Sequence, residues 1–123
     1  MIFTTSTLFA QTSADSIAIN ETALNYIEGW YEGNAERMAK SLHPKLAKRA
    51  VFADDQFNHQ TAEILISRTE KGGGKKPERA AAKGRHDFGN FEGSAVVKVV
   101  AIDWIDYLQM AKLKGEWLII NVL

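Results

Sequence analysis

The sequence contains no cysteine, only two prolines and no apolar run long enough to cross a membrane. Without cysteine, the chain has no disulfide, no thiol nucleophile and no cysteine-ligated zinc or iron–sulfur site. A spanning helix needs about 20 predominantly apolar residues, so we expect no membrane partner. Fifteen basic side chains balance fifteen acidic ones, so the formal net charge is zero, although a neutral total can hide an uneven distribution along the chain.

What is present is the composition of one globular domain. The chain has 123 residues, of which 46% are hydrophobic and 24% charged. We predict a single domain over residues 14–123. Residues 1–13 are either a flexible terminus or the remnant of a secretory signal, because Ala10-Gln11 is typical of the end of such a signal. The location is accordingly cytoplasmic or, with a signal, exported to the periplasm.

Positive charge is concentrated in residues 71–86. This stretch carries six lysines and arginines against the single acid Glu78, and it includes the run Gly72-Gly73-Gly74. It has almost no large apolar side chain to bury, which predicts a mobile, solvated connection. Because no aromatic side chain interleaves the cations, we do not expect nucleic acid as a partner.

The first part of the chain has helical periodicity. Ser13 or Asp15 is placed to cap a helix that runs to about Glu32, with two apolar stripes along it. Asn34 is placed to cap a second helix, which His43-Pro44 stops. A third helix is predicted from Thr61 to about Lys71, and a short strand from Ala50 to Ala53.

After Gly93 the periodicity changes to that of strands. Three strands are predicted, over Ala95–Ile102, Ile105–Leu113 and Glu116–Val122, with Lys114-Gly115 in the last turn. Helices followed by an antiparallel meander indicate the α+β class, with three N-terminal helices packed in a curved antiparallel sheet.

The face that each residue of the last hairpin occupies depends on its turn. A two-residue turn pairs Lys112 with Trp117, whereas a three-residue loop pairs Lys112 with Glu116. We favour the three-residue loop, because lysine is a poor residue for the positive φ that the two-residue turn requires. The favoured register places Tyr107, Gln109, Ala111, Trp117, Ile119 and Asn121 on one face, and Asp106, Leu108, Met110, Lys112, Leu118 and Ile120 on the other.

The first of these faces mixes aromatic rings with neutral hydrogen-bonding groups, which is typical of a cavity for a small organic ligand. The second face is aliphatic and needs a cover. We therefore predict a homodimer that buries the outer sheet face through Leu108, Met110 and Ile120.

Two segments resemble a known family. YIEGWYEGNAERMAKSLHPKLAKRAV, residues 26–51, and DYLQMAKLKGEWLIINVL, residues 106–123, are similar to the putative lumazine-binding family of the nuclear transport factor 2-like (SnoaL-like) superfamily. Gly29, Gly33 and His43-Pro44 match the family pattern, whereas Gln109 stands where relatives carry histidine.

The resemblance implies a cystatin-like cone in which a bent sheet curls around the helices, and it implies dimers. Relatives include ketosteroid isomerases and polyketide cyclases alongside members without known catalysis. Three functions stay open: binding of a small organic molecule, proton-transfer lyase or isomerase chemistry, and a non-catalytic dimeric interaction module.

Candidate site residues follow from the favoured register and the aromatic positions. The predicted ligand-binding residues are Tyr26, Trp30, Trp104, Tyr107, Gln109, Trp117 and Asn121. For proton transfer, His43 or Asp103 is the candidate base and Tyr107 the candidate donor.

Metal and cofactor motifs are missing from the sequence. His43, His59 and His86 have no metal-binding spacing, and no phosphate-binding loop or dinucleotide fingerprint occurs. We expect no metal and no cofactor.

Overall fold

The computed structural model describes residues 13–76, 84–102 and 104–123. Residues 1–12, at the predicted terminus or signal remnant, lie outside the described residues, as do 77–83 of the basic segment. The elements, in chain order, are α1 (Ser13–Glu32), α2 (Ala35–Ser41), β1 (Leu42–Val51), β2 (Phe57–Thr61), α3 (Ala62–Glu70), β3 (Gly84–Phe91), β4 (Ser94–Val100), β5 (Ile105–Leu113) and β6 (Glu116–Val122).

The three predicted helices are present and begin and end at the expected signals. α1 stops before Gly33, whose φ of 69° lies in the left-handed region that glycine adopts without strain. Asn34 caps α2 by accepting a hydrogen bond from Arg37 N at 3.1 Å. Thr61 caps α3 in the same way, accepting from Ile64 N at 3.2 Å.

A single arginine fastens α2 to α1. The Arg37 guanidinium donates to Asn25 Oδ1 at 3.0 Å, to Glu28 Oε2 at 2.7 Å and to both carboxylate oxygens of Glu32 at 3.2 Å. Because these partners all lie on α1, Arg37 links the two helices through charge-assisted hydrogen bonds.

The six strands form one sheet in the order β2-β1-β6-β5-β4-β3. Every neighbouring pair is antiparallel except β1 and β6, which are parallel. The predicted antiparallel sheet is therefore wrong at this pair: the chain enters the sheet through β1 directly after α2 and meets its own last strand. α1 packs against β4 and β6, and α3 against β1 and β2, so the α+β class is confirmed.

β1 is much longer than the predicted strand at Ala50–Ala53, and β2 was not predicted at all. Pro44 lies inside β1, where proline cannot donate to a ladder. The β1–β6 register shifts between Leu42 and Ala47, so no ladder hydrogen bond is needed from that nitrogen.

The last hairpin has the two-residue turn, and the three-residue prediction is wrong. Leu113 pairs with Glu116 and Lys112 with Trp117. Lys114 and Gly115 have φ of 50° and 82°, the two positive values that a type I′ turn requires. Lys114 thus adopts the positive φ that we expected lysine to disfavour.

This register exchanges the two predicted faces of β5. Asp106, Leu108 and Met110 point inward and are buried, whereas Tyr107 and Gln109 point outward and are exposed. On β6 the ladder shifts by one residue after Ile119, so that Trp117, Ile119 and Val122 are all buried. Leu108 and Met110 therefore belong to the core of the chain and not to an outer interface.

The glycine run after α3 forms a turn packed against α1, contrary to the prediction of a mobile connection over residues 71–86. Gly73 N donates to Arg68 O at 2.9 Å and Lys76 N to Tyr31 O at 3.0 Å. A Cβ on Gly74 would overlap the indole of Trp30, so any other residue there would have to displace that ring. Residues 84–86 also depart from the prediction, because they belong to β3.

Candidate functional site

A cavity of about 730 Å³ lies between the helices and the inner face of the sheet. It opens at the end of the sheet where strands β1 and β6 finish and strand β5 starts. The helices contribute Tyr26, Ile27, Trp30, Met38, Leu65 and Arg68 to its lining; the strands and their connections contribute Lys48, Arg49, Ala50, Val51, Phe52, Asn58, Gln60, Trp104, Ile105, Asp106, Tyr107 and Leu123.

A buried polar cluster is centred on Asp106, the second residue of β5. Its Oδ2 accepts hydrogen bonds from the phenol of Tyr26 at 2.7 Å, from Lys48 Nζ at 2.9 Å and from Trp104 Nε1 at 3.1 Å. Asp106 is only 7% exposed. The paired lysine compensates the charge of this carboxylate, which would otherwise be costly to bury.

Tyr26 and Lys48 are also bonded to each other. Lys48 Nζ donates to Tyr26 Oη at 2.7 Å and lies 5.4 Å from the centre of the Tyr26 ring. Burial, and then the charge and hydrogen bond of Asp106, raise the pKa of Tyr26 well above its ordinary value of 10.0. The phenol therefore stays protonated at neutral pH and acts as a donor.

Trp104 belongs both to the polar cluster and to the aromatic wall of the cavity, by which we mean the rings of Trp30 and Trp104. Its ring lies 5.4 Å from that of Tyr31, centre to centre, with the planes tilted by 35°. Its Nε1 points at Asp106. Trp30 on α1 supplies a second large ring, and the Gly73-Gly74 backbone supports that ring from behind.

β2 contributes neutral amides to the lining. Asn58 and Gln60 lie on its inner side, and Gln60 is the cross-strand neighbour of Lys48. Within the described residues, Gln60 Oε1 is buried and accepts no hydrogen bond. An unpaired buried acceptor costs about 1–3 kcal/mol, and such groups are few in native proteins.

The mouth of the cavity is apolar. Val51, Phe52, Ile105 and Leu123 line it, and each of these side chains is exposed. Apolar side chains at a cavity entrance offer contact area to the part of a ligand that projects from the interior.

Four of the seven predicted ligand-binding residues line the cavity: Tyr26, Trp30, Trp104 and Tyr107. Tyr107 does so at the mouth, where it is 45% exposed, and not from the inner face. That these four side chains contact a ligand stays a prediction.

The other three lie away from the cavity lining: Gln109 because the predicted hairpin register is wrong, Asn121 as its cross-strand partner, and Trp117 although it faces inward as predicted. Gln109 is exposed on the outer face and pairs with Asn121 across the strands. Trp117 belongs to the core, where its Nε1 donates to Asp15 Oδ1 at 3.0 Å.

The candidate catalytic residues do not come together in the described part of the structure. His43 lies outside the cavity lining, and its Nδ1 accepts from Lys45 N at 3.0 Å. Asp103 lies outside the described residues. Among the residues that the structure describes, no group of three or more metal-ligating side chains could hold an ion, and no helix is long and apolar enough to span a membrane.

Sequence reasoning missed Asp106, Lys48, Asn58 and Gln60. Asp106 was assigned to the outer face by the wrong register alone, and the two-residue turn would have placed it correctly. Lys48, Asn58 and Gln60 had no detectable signal, since they lie on strands whose polar inner sides break the alternation typical of a strand.

Comparison with known proteins identifies the family. Residues 14–123 match the family described as "Putative lumazine-binding", and the chain belongs to it. The resemblance noted in the sequence is thereby confirmed. Among the curated proteins, none matches the chain.

Solved structures share the fold at low sequence identity. An NTF2-like protein of unknown function from Shewanella baltica OS155 is 15% identical, with a TM-score of 0.63 and coverage of 92% of this chain and 94% of that chain. An NTF-2-like protein from Silicibacter pomeroyi DSS-3 is 14% identical, with a TM-score of 0.63 and coverage of 90% and 95%. One from Methylobacillus flagellatus KT is 20% identical, with a TM-score of 0.59 and coverage of 90% of each chain. The fold is therefore that of NTF2-like, cystatin-like proteins.

Proposed function

We propose that this protein binds a small organic molecule in the cavity between its helices and the inner face of its sheet. The observation that carries the proposal is the make-up of the cavity: two tryptophan rings and apolar side chains surround a few convergent polar groups on Asp106, Lys48 and Tyr26. Ligand sites are typically apolar concavities of about 300–1,000 Å³ with a small number of polar groups that orient the ligand.

The proposal is tested by blocking the cavity. Ala50 lines it from β1, so Ala50→Trp should fill part of it, whereas Ala39→Trp places the same ring at an exposed position outside it. With the neutral dye N-phenylnaphthylamine as probe, we expect saturable fluorescence enhancement at one dye per chain. Ala50→Trp should weaken binding about tenfold, equivalent to about 1.4 kcal/mol, and Ala39→Trp should leave it unchanged. Equal binding by the two variants, or no binding by the wild type, would contradict the proposal.

A second candidate function, proton transfer, is favoured by one observation. Asp106 places a buried carboxylate in the cavity wall, and the protonated phenol of Tyr26 lies beside it. Such a pair could supply a base and a hydrogen-bond donor to a ketone. In deuterated buffer, the wild type should then exchange the hydrogens beside the carbonyl of tetralone faster than Asp106→Asn does. Equal exchange rates, followed by NMR, would leave binding as the only function.

We further propose that the chain is a homodimer through the outer face of the sheet, in the region of Val96, Tyr107 and Ile120. These side chains are large and exposed, and they lie on adjacent strands. Light scattering at micromolar concentration should give twice the chain mass, and Ile120→Lys should shift it towards the monomer. Ile17→Lys, at a side chain of α1 that is 67% exposed and lies off the sheet, is the control. A monomer mass for the wild type would refute the dimer.

A further inference from the structure

The charges of the cavity lining do not balance, although those of the whole chain do. The residues that line the cavity include two cations, Lys48 and Arg68, and one carboxylate, that of Asp106. Arg49 also borders the cavity, but it alternates with Lys48 on β1 and lies on the opposite side of that strand. The chain as a whole has a formal net charge of zero. The cavity lining therefore carries a net positive charge, which negative charge elsewhere in the chain balances.

One of these cations is already compensated inside the protein. Lys48 Nζ lies 2.9 Å from Asp106 Oδ2, and both side chains are largely buried. Among the described residues, neither Arg49 nor Arg68 has a carboxylate within 4.0 Å of its guanidinium. Each guanidinium keeps its donors available to an outside acceptor.

Arg68 lies close to the aromatic wall of the cavity. It occupies the last turn of α3, and its backbone carbonyl accepts from Gly73 N at 2.9 Å. A Cβ on Gly73 would lie 3.1 Å from the Trp30 ring, so Arg68 and Trp30 flank the same glycine turn. Both residues also line the cavity, so a ligand that packs against Trp30 would lie on the same side of the cavity as Arg68.

We propose that the ligand is an organic anion: an apolar, aromatic body that bears a carboxylate, sulfonate or phosphate group. This inference rests on the proposed binding function. The body packs between the tryptophan rings and the apolar mouth, and the anionic group pairs with Arg68. A guanidinium is suited to this role because its planar donors match two oxygens of an anion at once.

The test uses two dyes that differ by one charged group, anilinonaphthalene sulfonate and the neutral N-phenylnaphthylamine. We expect the wild type to bind the sulfonate dye about tenfold more tightly than the neutral dye at low salt. Added salt should weaken binding of the sulfonate dye and leave that of the neutral dye unchanged.

The charge variants locate the anion. Arg68→Gln should weaken sulfonate-dye binding about tenfold and neutral-dye binding less than twofold, and Arg68→Lys should retain most of the sulfonate-dye affinity. Lys71→Gln is the matched control, since it removes the same charge three residues further along from an exposed position outside the cavity lining. Equal affinity for the two dyes, or equal losses in Arg68→Gln and Lys71→Gln, would overturn the inference and leave the binding function standing. If neither dye binds, the proposed function fails and the inference fails with it.

Discussion

At the scale of single residues, Asp106 holds three parts of the molecule together. Its carboxylate accepts from Tyr26 on α1, from Lys48 on β1 and from Trp104 just before β5. All three donors end at one buried oxygen, Oδ2. The arrangement gives the cavity a polar centre that is preorganised by the fold and needs no ligand to form it.

We predict that Asp106→Ala destabilises the protein by about 3–5 kcal/mol, because it leaves the largely buried Lys48 ammonium without its partner. The measurement is equilibrium urea unfolding of the variant, of Lys48→Met and of the double variant. The double variant should lose less than the sum of the single losses, since it buries no unpaired charge. Strict additivity would show that the pair is not coupled.

The raised pKa of Tyr26 predicts a loss of stability at alkaline pH. Above about pH 10 the unfolded chain releases the phenol proton while the folded chain keeps it, so stability falls from there upward and is unaffected below. Tyr26→Phe lacks this proton, so its stability should depend less on pH between about 10 and 11. Urea unfolding across that range tests the difference, and parallel pH profiles for wild type and variant would contradict it.

At the scale of elements, the register of the last hairpin decides which residues face the cavity. The sequence predicts the bounds of β5 and β6 correctly, but not their pairing. A positive φ at Lys114 costs about 1 kcal/mol, whereas burial of each large apolar side chain stabilises the fold by about 2 kcal/mol. The two-residue turn puts Leu108 and Met110 of β5 into the core beside Trp117 and Ile119, which outweighs the cost of the turn, and a bulge that no local pattern signals adds Val122.

The register makes a direct prediction for β6. Trp117→Ala should cost about 3–5 kcal/mol, because the ring is 4% exposed and its loss leaves a large cavity. Ile120→Ala, at a side chain that is 39% exposed on the opposite face, should cost less than about 1 kcal/mol in the monomer. Chemical denaturation of both variants checks this order of effects, and the reverse order would mean that the faces are assigned wrongly.

The glycine turn after α3 is expected to hold Trp30 in the cavity wall. Gly74→Ala should displace the indole, costing about 1–3 kcal/mol and changing the tryptophan fluorescence. Gly115→Ala is the contrast: nothing lies within 4 Å, so it should cost only about 1 kcal/mol for its positive φ and leave Trp30 unchanged. An unchanged Trp30 environment in Gly74→Ala would contradict the packing described here.

Two strands that the sequence predicted only in part or not at all, β1 and β2, carry much of the site. Alternation of apolar and polar residues identifies a strand only when its inner side is apolar. On β1 and β2 the inner positions include Lys48, Asn58 and Gln60, which line the cavity. The same polar side chains that give the cavity its chemistry therefore remove the pattern by which the strands would be recognised.

At the scale of the whole molecule, the cavity is a consequence of topology. β1 pairs in parallel with β6, and β5 pairs antiparallel with β6. The C-terminal ends of β1 and β6 and the N-terminal end of β5 therefore lie side by side at one end of the strands. The α+β class and the family were predictable from the segments at residues 26–51 and 106–123. The position of the polar cluster was not, because Lys48 and Asp106 are 58 residues apart and meet only through that pairing.

A crystal structure of the protein with anilinonaphthalene sulfonate bound tests most directly the claim that the cavity receives an organic ligand. We predict that the dye's rings lie beside Trp30 and Trp104 inside the cavity, with the sulfonate within about 4 Å of the Arg68 guanidinium. A dye that lies only on the outer sheet face, or a cavity filled by the protein's own side chains, would contradict the claim.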